Sequence, residues 1–210
     1  MKIVNQINRL FIKKFDHCWV PDLKNSLLSG ELSDSNLEKT FIGPQTRFKK
    51  IVEERKNYKY KYLAIISGPE PQRSLLKHEI QNCFHKTNQH CAIINGLTNT
   101  NETSSRKISY YPHLETTAFR ELLTKSELVI CRSGYSSIMD LYILQKKVLF
   151  IATPGQTEQE YLAKYHLETN SIYNQKQGRI DLGKASFNFI QPKSKTKKKL
   201  LKVAFDKVSL

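Results

Sequence analysis

Residues 129–141 read VICRSGYSSIMDL, and hydroxyl, glycine and carboxylate groups fall in them at spacings that suit an anionic, hydroxylated ligand. A continuous apolar run ends at Cys131, Arg132-Ser133-Gly134 make a sharp turn, and a helical pattern starts at Tyr135. The first backbone N–H groups of a helix lack intrahelical partners and carry the positive end of its dipole, so they attract phosphate. Gly134 permits close backbone approach, and the hydroxyls of Ser133, Ser136 and Ser137 add donors. Asp140 lies four residues after Ser136 and three after Ser137, on their face of the helix. A carboxylate there can accept hydrogen bonds from both hydroxyls of a ribose while the helix start holds phosphates. The same spacing also suits an ordinary Ser/Gly-capped turn with a solvated aspartate, and spacing alone does not separate the two.

The elements that must position this turn are short β-rich runs alternating with helical stretches. The pattern predicts strands at 17–20, 62–67, 91–95, 107–110, 128–131 and 148–152, with helices near 72–84, 116–125, 135–145 and 156–166. Apolar strands separated by helices predict a parallel sheet covered on both faces, an α/β, doubly wound, Rossmann-like fold. In such sheets ligands bind beyond the carboxyl ends of the strands, where the 132–134 turn falls. Residues 95–107 read as a polar loop and 22–39 as another, closed by the turn Gly43-Pro44. The first 44 residues hold too little to bury a core alone.

The chain has 210 residues, 39% of them hydrophobic, enough for a real core. No apolar run nears the roughly 20 residues of a membrane-spanning helix. The start, MKIVNQINRLFIKKF, is amphipathic and no small-residue cleavage site follows it, so no signal peptide is expected. Cys18, Cys83, Cys91 and Cys131 form no CxxC pair and read as buried thiols of a reducing cytoplasm. The six histidines show no metal-ligand spacing, and there is neither a P-loop nor a GxSxG elbow, so no metal or cofactor is expected. A net charge of +15 favours anionic partners. It is concentrated in RFKKIVEERKNYKYKY (47–62) and KSKTKKKLLK (193–202), the latter reading as a basic surface helix with an apolar side.

The stretch VICRSGYSSIMDLYILQKKVLFIATPGQTEQEYLAKYHLE (129–168) resembles the C-terminal donor-binding domain of GT-B glycosyltransferases of the MurG-like type, glycosyltransferase family 28. That family has a strand, Arg-Ser/Ala-Gly, a helix with Glu six residues after the glycine, and a strand ending in Pro followed by a Gln-rich helix start. Here Gly134 to Asp140 keeps the spacing of six with Asp in place of Glu, and Gln159-Glu160 stand where the family has Gln-Gln. The resemblance implies that Ser133, Gly134, Tyr135 and Ser136 lie against a diphosphate, with Ser137 beside them. It further implies that Asp140 binds the ribose and that Gln159 and Glu160 hold sugar hydroxyls. The loop SGPEPQRS (67–74) is its other phosphate-facing segment; it keeps Gly68 and Arg73, but Pro69 and Pro71 remove two N–H donors. Arg73 reads equally as a surface residue. The segment YYPH (110–113) stands where the family places the base, with Tyr110 and Tyr111 as stacking or core residues.

By the resemblance, the division is a remnant of the N-terminal acceptor domain with its crossing segment (1–44), a nucleotide-sugar-binding domain (45–192) and a basic C-terminal helix (193–210). The implied partners are a nucleotide-sugar donor, most simply UDP-linked, and a saccharide or lipid-linked acceptor. A partner chain supplying the N-terminal half and an anionic membrane surface complete the set; nucleic acid is not among them. The expected activity is inverting hexosyl transfer, not performed by these residues alone, in the cytoplasm at the inner face of the membrane. No catalytic base is readable. The alternative class is a non-catalytic basic α/β protein that binds RNA or anionic membrane through its lysine tracts.

Overall fold

The computed structural model describes residues 11–33, 37–48, 57–98, 102–190 and 200–208. Two compact units emerge, one from Thr46 to Gln191, the other from Met1–Gln45 together with Pro192–Leu210. Most of the basic tracts, residues 49–56 and 193–199, lies outside the described residues.

In the smaller unit, β1 (Trp19–Val20) pairs in parallel with β2 (Thr40–Phe41). The segment between them, expected as loop, is organised around the fully buried carboxylate of Asp22. It accepts the backbone N–H groups of Leu23, Leu28 and Ser29 at 2.5, 3.0 and 2.9 Å, and the Ser29 hydroxyl at 2.5 Å. Such charge-assisted bonds offset the cost of burying the group. The helix Leu200–Val208 belongs to the same unit. Trp19 meets the Phe205 ring edge-on at 4.9 Å, and Leu200 lies over Gly43. It is therefore a packed element of that unit.

The larger unit is built on β3 (Tyr60–Ile65), β4 (Cys91–Ile94), β5 (Ile108–Tyr111), β6 (Ser126–Cys131), β7 (Lys147–Phe150) and β8 (Asn188–Phe189). They form one sheet in the order β5-β4-β3-β6-β7-β8. All neighbours are parallel except β8, which runs antiparallel to β7 at the edge. The expected parallel sheet thus carries one antiparallel strand at its edge. The six predicted strands are present within one or two residues; β2 and β8, each two residues long and too short to show a period, were not predicted.

The helices α1 (Gln72–His85), α2 (Thr116–Thr124), α3 (Tyr135–Leu144) and α4 (Thr157–Asn170) connect the strands. Leu76, Ile80 and Phe84 recur at helical spacing on α1 and pack with Ala64, Ile66, Ile93, Ile130 and Leu149 on one face of the sheet. Side chains alternate along a strand, so Ile65 and Ile94 point to the opposite face, where Phe119 and Leu123 of α2 and Leu141 of α3 meet them. Right-handed crossovers require this: the chain leaves β3 toward β4 on one side and leaves β6 toward β7 on the other. The strand order therefore reverses between β3 and β6. Gly96, just past β4, has φ +66, and a Cβ there would lie 2.7 Å from the Ile66 carbonyl oxygen, so only glycine fits.

All four thiols are free, but only Cys91 and Cys131 are buried, whereas Cys18 and Cys83 are partly exposed. The reading of four buried thiols holds for two of them. Burial pushes Cys91 and Cys131 up to about 12, since a thiolate there would lose its hydration. No described helix is long and apolar enough to cross a membrane. At pH 8 a thiol reagent should label Cys18 in the native chain first. Cys91 and Cys131, about a thousand-fold poorer in thiolate than an unshifted thiol, should label only at denaturant concentrations that unfold the larger unit. Peptide mapping of alkylated protein checks this, and fast native labelling of Cys131 would contradict the packing described.

Candidate functional site

At the carboxyl ends of β3 and β6, where the strand order reverses, the larger unit has a cavity of about 330 Å³. That is the position at which open α/β sheets bind ligands, and the volume falls in the range of small-molecule sites. Its apolar wall comes from Ile65, Ile66, Ile94, Leu114, Phe119, Leu123 and Leu141; its polar groups are Arg47, Ser67, His113, Ser136, Ser137 and Asp140. Three of the residues singled out from sequence, Ser136, Ser137 and Asp140, thus meet in one cavity.

Gly134 precedes α3 in an extended conformation, φ −71 and ψ 145, and no side chain caps the helix start. A Cβ at Gly134 would meet nothing within 4 Å, so glycine is not required there by packing and leaves open space over the turn.

Asp140, six residues after Gly134, is half-buried. The Thr46 hydroxyl donates to its Oδ1 at 2.5 Å and in turn accepts the Phe48 N–H at 3.1 Å. Burial pushes the Asp140 carboxyl up, offset in part by Thr46 and by the nearby Arg47 cation. The Arg47 guanidinium lies over the rings of Phe48 and Phe119 at 5.1 and 4.8 Å, two rings that stack on each other. Cation–π contact holds the charge at the cavity wall.

Other expected residues serve the scaffold. Ser133 is fully buried and its hydroxyl donates to the Gln159 carbonyl at 2.7 Å, so only its backbone faces the turn. Gln159 accepts the Thr153 N–H at 2.9 Å and donates to Gln156 at 2.5 Å. Glu160 Oε1 accepts the Gly155 N–H at 3.0 Å. These two side chains shape the 153–156 turn and do not line the cavity. Arg73 is bound by Glu70, whose carboxylate it approaches to 2.6 and 2.9 Å; it would reach a phosphate only by releasing that partner. Gly68 adjoins the cavity residue Ser67 with φ +108. Tyr110 accepts a bond from Gln81 and packs on the α1 side of the core, while the Tyr111 hydroxyl meets that of Tyr60 at 2.7 Å. His113 and Leu114, one turn of chain later, take the wall instead.

Sequence reasoning missed Thr46, Arg47, His113 and Leu114. A signal existed for the last two, as the first residues beyond the carboxyl end of β5, but none existed for Thr46, which meets Asp140 across 94 residues of chain. Arg132 was noted only as part of the turn. It is 2% exposed, and its guanidinium donates to the carbonyls of Ser67 (3.4 Å), Gln72 (2.9 Å), Ile151 (3.2 Å) and Ala152 (3.1 Å) and to Gln177 Oε1 (2.7 Å). Burial draws it down to about 10, opposed by Cys131 and Glu79, so it remains a cation at neutral pH. Among the described residues no group of His, Cys, Asp or Glu is arranged to hold a metal ion.

The cavity offers an apolar slot, a carboxylate for vicinal hydroxyls and the Ser136 and Ser137 side of a helix start that no side chain caps. The glycosyltransferase family 28 C-terminal domain matches over residues 47–199. In fold the chain is similar to a solved structure described as the glycotransferase of kitacinnamycin, with a TM-score of 0.50 and 10% identity. The match covers 68% of this chain and 38% of that one, so the chain spans well under half the length of that protein. At this identity the likeness speaks for the fold, which is GT-B-like. No curated protein matches the chain. With some three-quarters of its length matched by the family, the chain belongs to glycosyltransferase family 28, in its C-terminal domain.

Proposed function

We propose that this domain binds a nucleoside-diphosphate sugar, UDP-linked, in the cavity between β3 and β6 and presents it for transfer to an acceptor hydroxyl. The observation that carries the reading is the meeting of an uncapped helix start with the half-buried Asp140 carboxylate in one cavity. Family membership supports the chemistry. The base lies in the apolar slot beside His113 and Leu114. Ribose hydroxyls donate to Asp140, which Thr46 holds in place. The diphosphate takes the N–H groups at Gly134, Tyr135 and Ser136, with Arg47 facing it, and the sugar extends toward Gln159 and Glu160. The Glu160 bond to Gly155 uses Oε1 and leaves Oε2 for a sugar hydroxyl.

In this reading an acceptor hydroxyl attacks the anomeric carbon, the bond to the diphosphate oxygen breaks on the opposite face, and the configuration inverts. Negative charge grows on the leaving diphosphate, where fixed helix N–H dipoles are worth most. The base that takes the acceptor proton belongs to an acceptor-side domain, of which residues 1–44 are the end and which an upstream segment or a partner chain supplies. The acceptor is a saccharide or a lipid-linked sugar at the cytoplasmic face of a membrane, and the lysines between 193 and 202 favour an anionic bilayer by about 1 kcal/mol each near the surface.

Titration calorimetry with UDP, GDP and TDP tests the donor site, and UDP should bind best. Asp140→Ala removes two charge-assisted hydrogen bonds, about 1.5–3 kcal/mol each, and should abolish measurable binding; equal affinity in that variant overturns the assignment. Affinity should also fall on acidification as the carboxylate takes up a proton, and, because its pKa is raised, at a higher pH than for an exposed aspartate.

Gly134→Ala separates packing from ligand approach. Its φ of −71 suits any residue, so the melting temperature should hold or rise slightly, while UDP binding weakens about ten-fold, roughly 1.4 kcal/mol.

The described chain should hydrolyse a UDP-sugar slowly at most and transfer no sugar until an acceptor-side domain is added, as followed by UDP release together with glycosylated acceptor. Multiple-turnover transfer by the 210 residues alone would refute the half-site reading.

A further inference from the structure

Arg132 presents an energetic problem. A guanidinium 2% exposed loses most of its hydration, and several kcal/mol of desolvation are usually offset by a carboxylate partner. All five of its acceptors are neutral: four backbone carbonyls and the Gln177 amide oxygen. The closest candidate for a counter-charge, Glu79, spends both oxygens elsewhere, on the N–H groups of Gly178 and Ile180 at 2.7 Å each. Among the described residues Arg132 therefore makes no ion pair.

The place of this charge is specific. Its acceptors are the exit of β3 (Ser67), the first residue of α1 (Gln72), the exit of β7 (Ile151, Ala152) and the loop carrying Gln177. Ser67 lines the cavity, and the residue after Arg132 begins the turn into α3. A second polar group converges on the same point. The Thr153 hydroxyl is buried without a hydrogen-bond partner, 3.6 Å from where a Cβ on Gly68 would lie, and Arg132 Nε is 3.9 Å from that position. A buried donor left open and a buried cation left unpaired thus face one turn, Ser67-Gly68, that flanks the cavity.

We propose that Arg132 is the resident counter-charge of the anion site: a positioning residue that never touches the ligand but holds the Ser67–Gly68 and Ile151–Thr153 loops and supplies the positive potential that a bound diphosphate neutralises. The inference rests on the donor-site reading given above and extends it to a buried residue outside the cavity wall. It accounts for the neutral acceptor set. A carboxylate partner would cancel the field at the site, whereas carbonyls satisfy the N–H groups and leave the net charge in place. It also accounts for arginine over lysine, since only the planar fork supplies five donors in fixed directions.

The direct variant, Arg132→Met, strands four carbonyls and is expected to unfold the larger unit, so the decisive variant is Gln177→Glu. It is isosteric, keeps the 2.7 Å bond to Arg132 and makes it charge-assisted. The Gln72 amide, which accepts from Gln177 at 2.7 Å, can turn over to donate to the new carboxylate. Only the net charge changes. Melting temperature and calorimetric affinities for uridine, UMP and UDP are measured for both proteins. The expected result is a melting temperature equal to or above wild type, uridine affinity unchanged, and UDP about ten-fold weaker, with UMP between them, because attraction between charges falls with each phosphate removed. UDP affinity within two-fold of wild type in a folded Gln177→Glu protein overturns the proposal while leaving the donor site standing. Failure of wild type to bind UDP overturns the donor-site reading, and this inference with it. Arg132→Lys, which keeps the charge and loses the fan, should melt lower yet bind UDP more tightly than Gln177→Glu below its melting point; the reverse order also overturns the proposal.

Discussion

The guanidinium of Arg132 ties together the ends of the strands that frame the cavity. One planar group satisfies carbonyls from the exits of β3 and β7 and from the start of α1, and through Gln177 it fixes a loop more than forty residues away in sequence. Strand exits are where a parallel sheet runs out of its own hydrogen bonds, and carbonyls left there without water would be costly. A single buried donor fan meets that demand for three loops at once. The alternative, separate side chains for each carbonyl, would have to occupy the space from which a ligand is approached.

Around that anchor the work is divided between the two faces of the sheet. The α1 face is closed and apolar, built on Leu76, Ile80 and Phe84 against the central strands. The α2–α3 face carries the cavity, so its residues are shorter of partners and more polar at the rim. Asp140 sits at the boundary. Its carboxylate is half-buried in the cavity that Leu141 and Phe119 also line, and the Thr46 hydroxyl and Arg47 charge limit the penalty. An aspartate is one methylene shorter than glutamate, and Thr46 supplies the support that the shorter side chain needs to stay aimed into the slot.

Much of the fold could be read in the residues because its elements are encoded locally. The runs 91–94 and 128–131 are apolar without interruption and short, as suits strands buried on both faces, and α1 repeats its apolar residues at helical spacing. β8 escaped because two residues carry no period. At the site, residue types were legible and roles less so. Ser136 and Asp140 share a helix face, so their meeting was implied by spacing. Ser133, Gln159 and Tyr110 instead turn their polar groups to Gln159, Thr153 and Gln81, partners set by tertiary packing that no local pattern specifies. Thr46 and Gln177 are of the same kind: their partners lie 94 and 105 residues away.

The recognition of Arg132 through main-chain carbonyls has a consequence for how such a domain can diverge. A carbonyl is present whatever residue bears it, so the side chains of Ser67, Gln72, Ile151 and Ala152 are free to drift without loosening the knot that holds their backbones. Pro69 and Pro71 lie between two of these residues, and the carbonyls of Ser67 and Gln72 on either side both accept from the guanidinium. Backbone geometry is thereby specified separately from side-chain composition at these four positions.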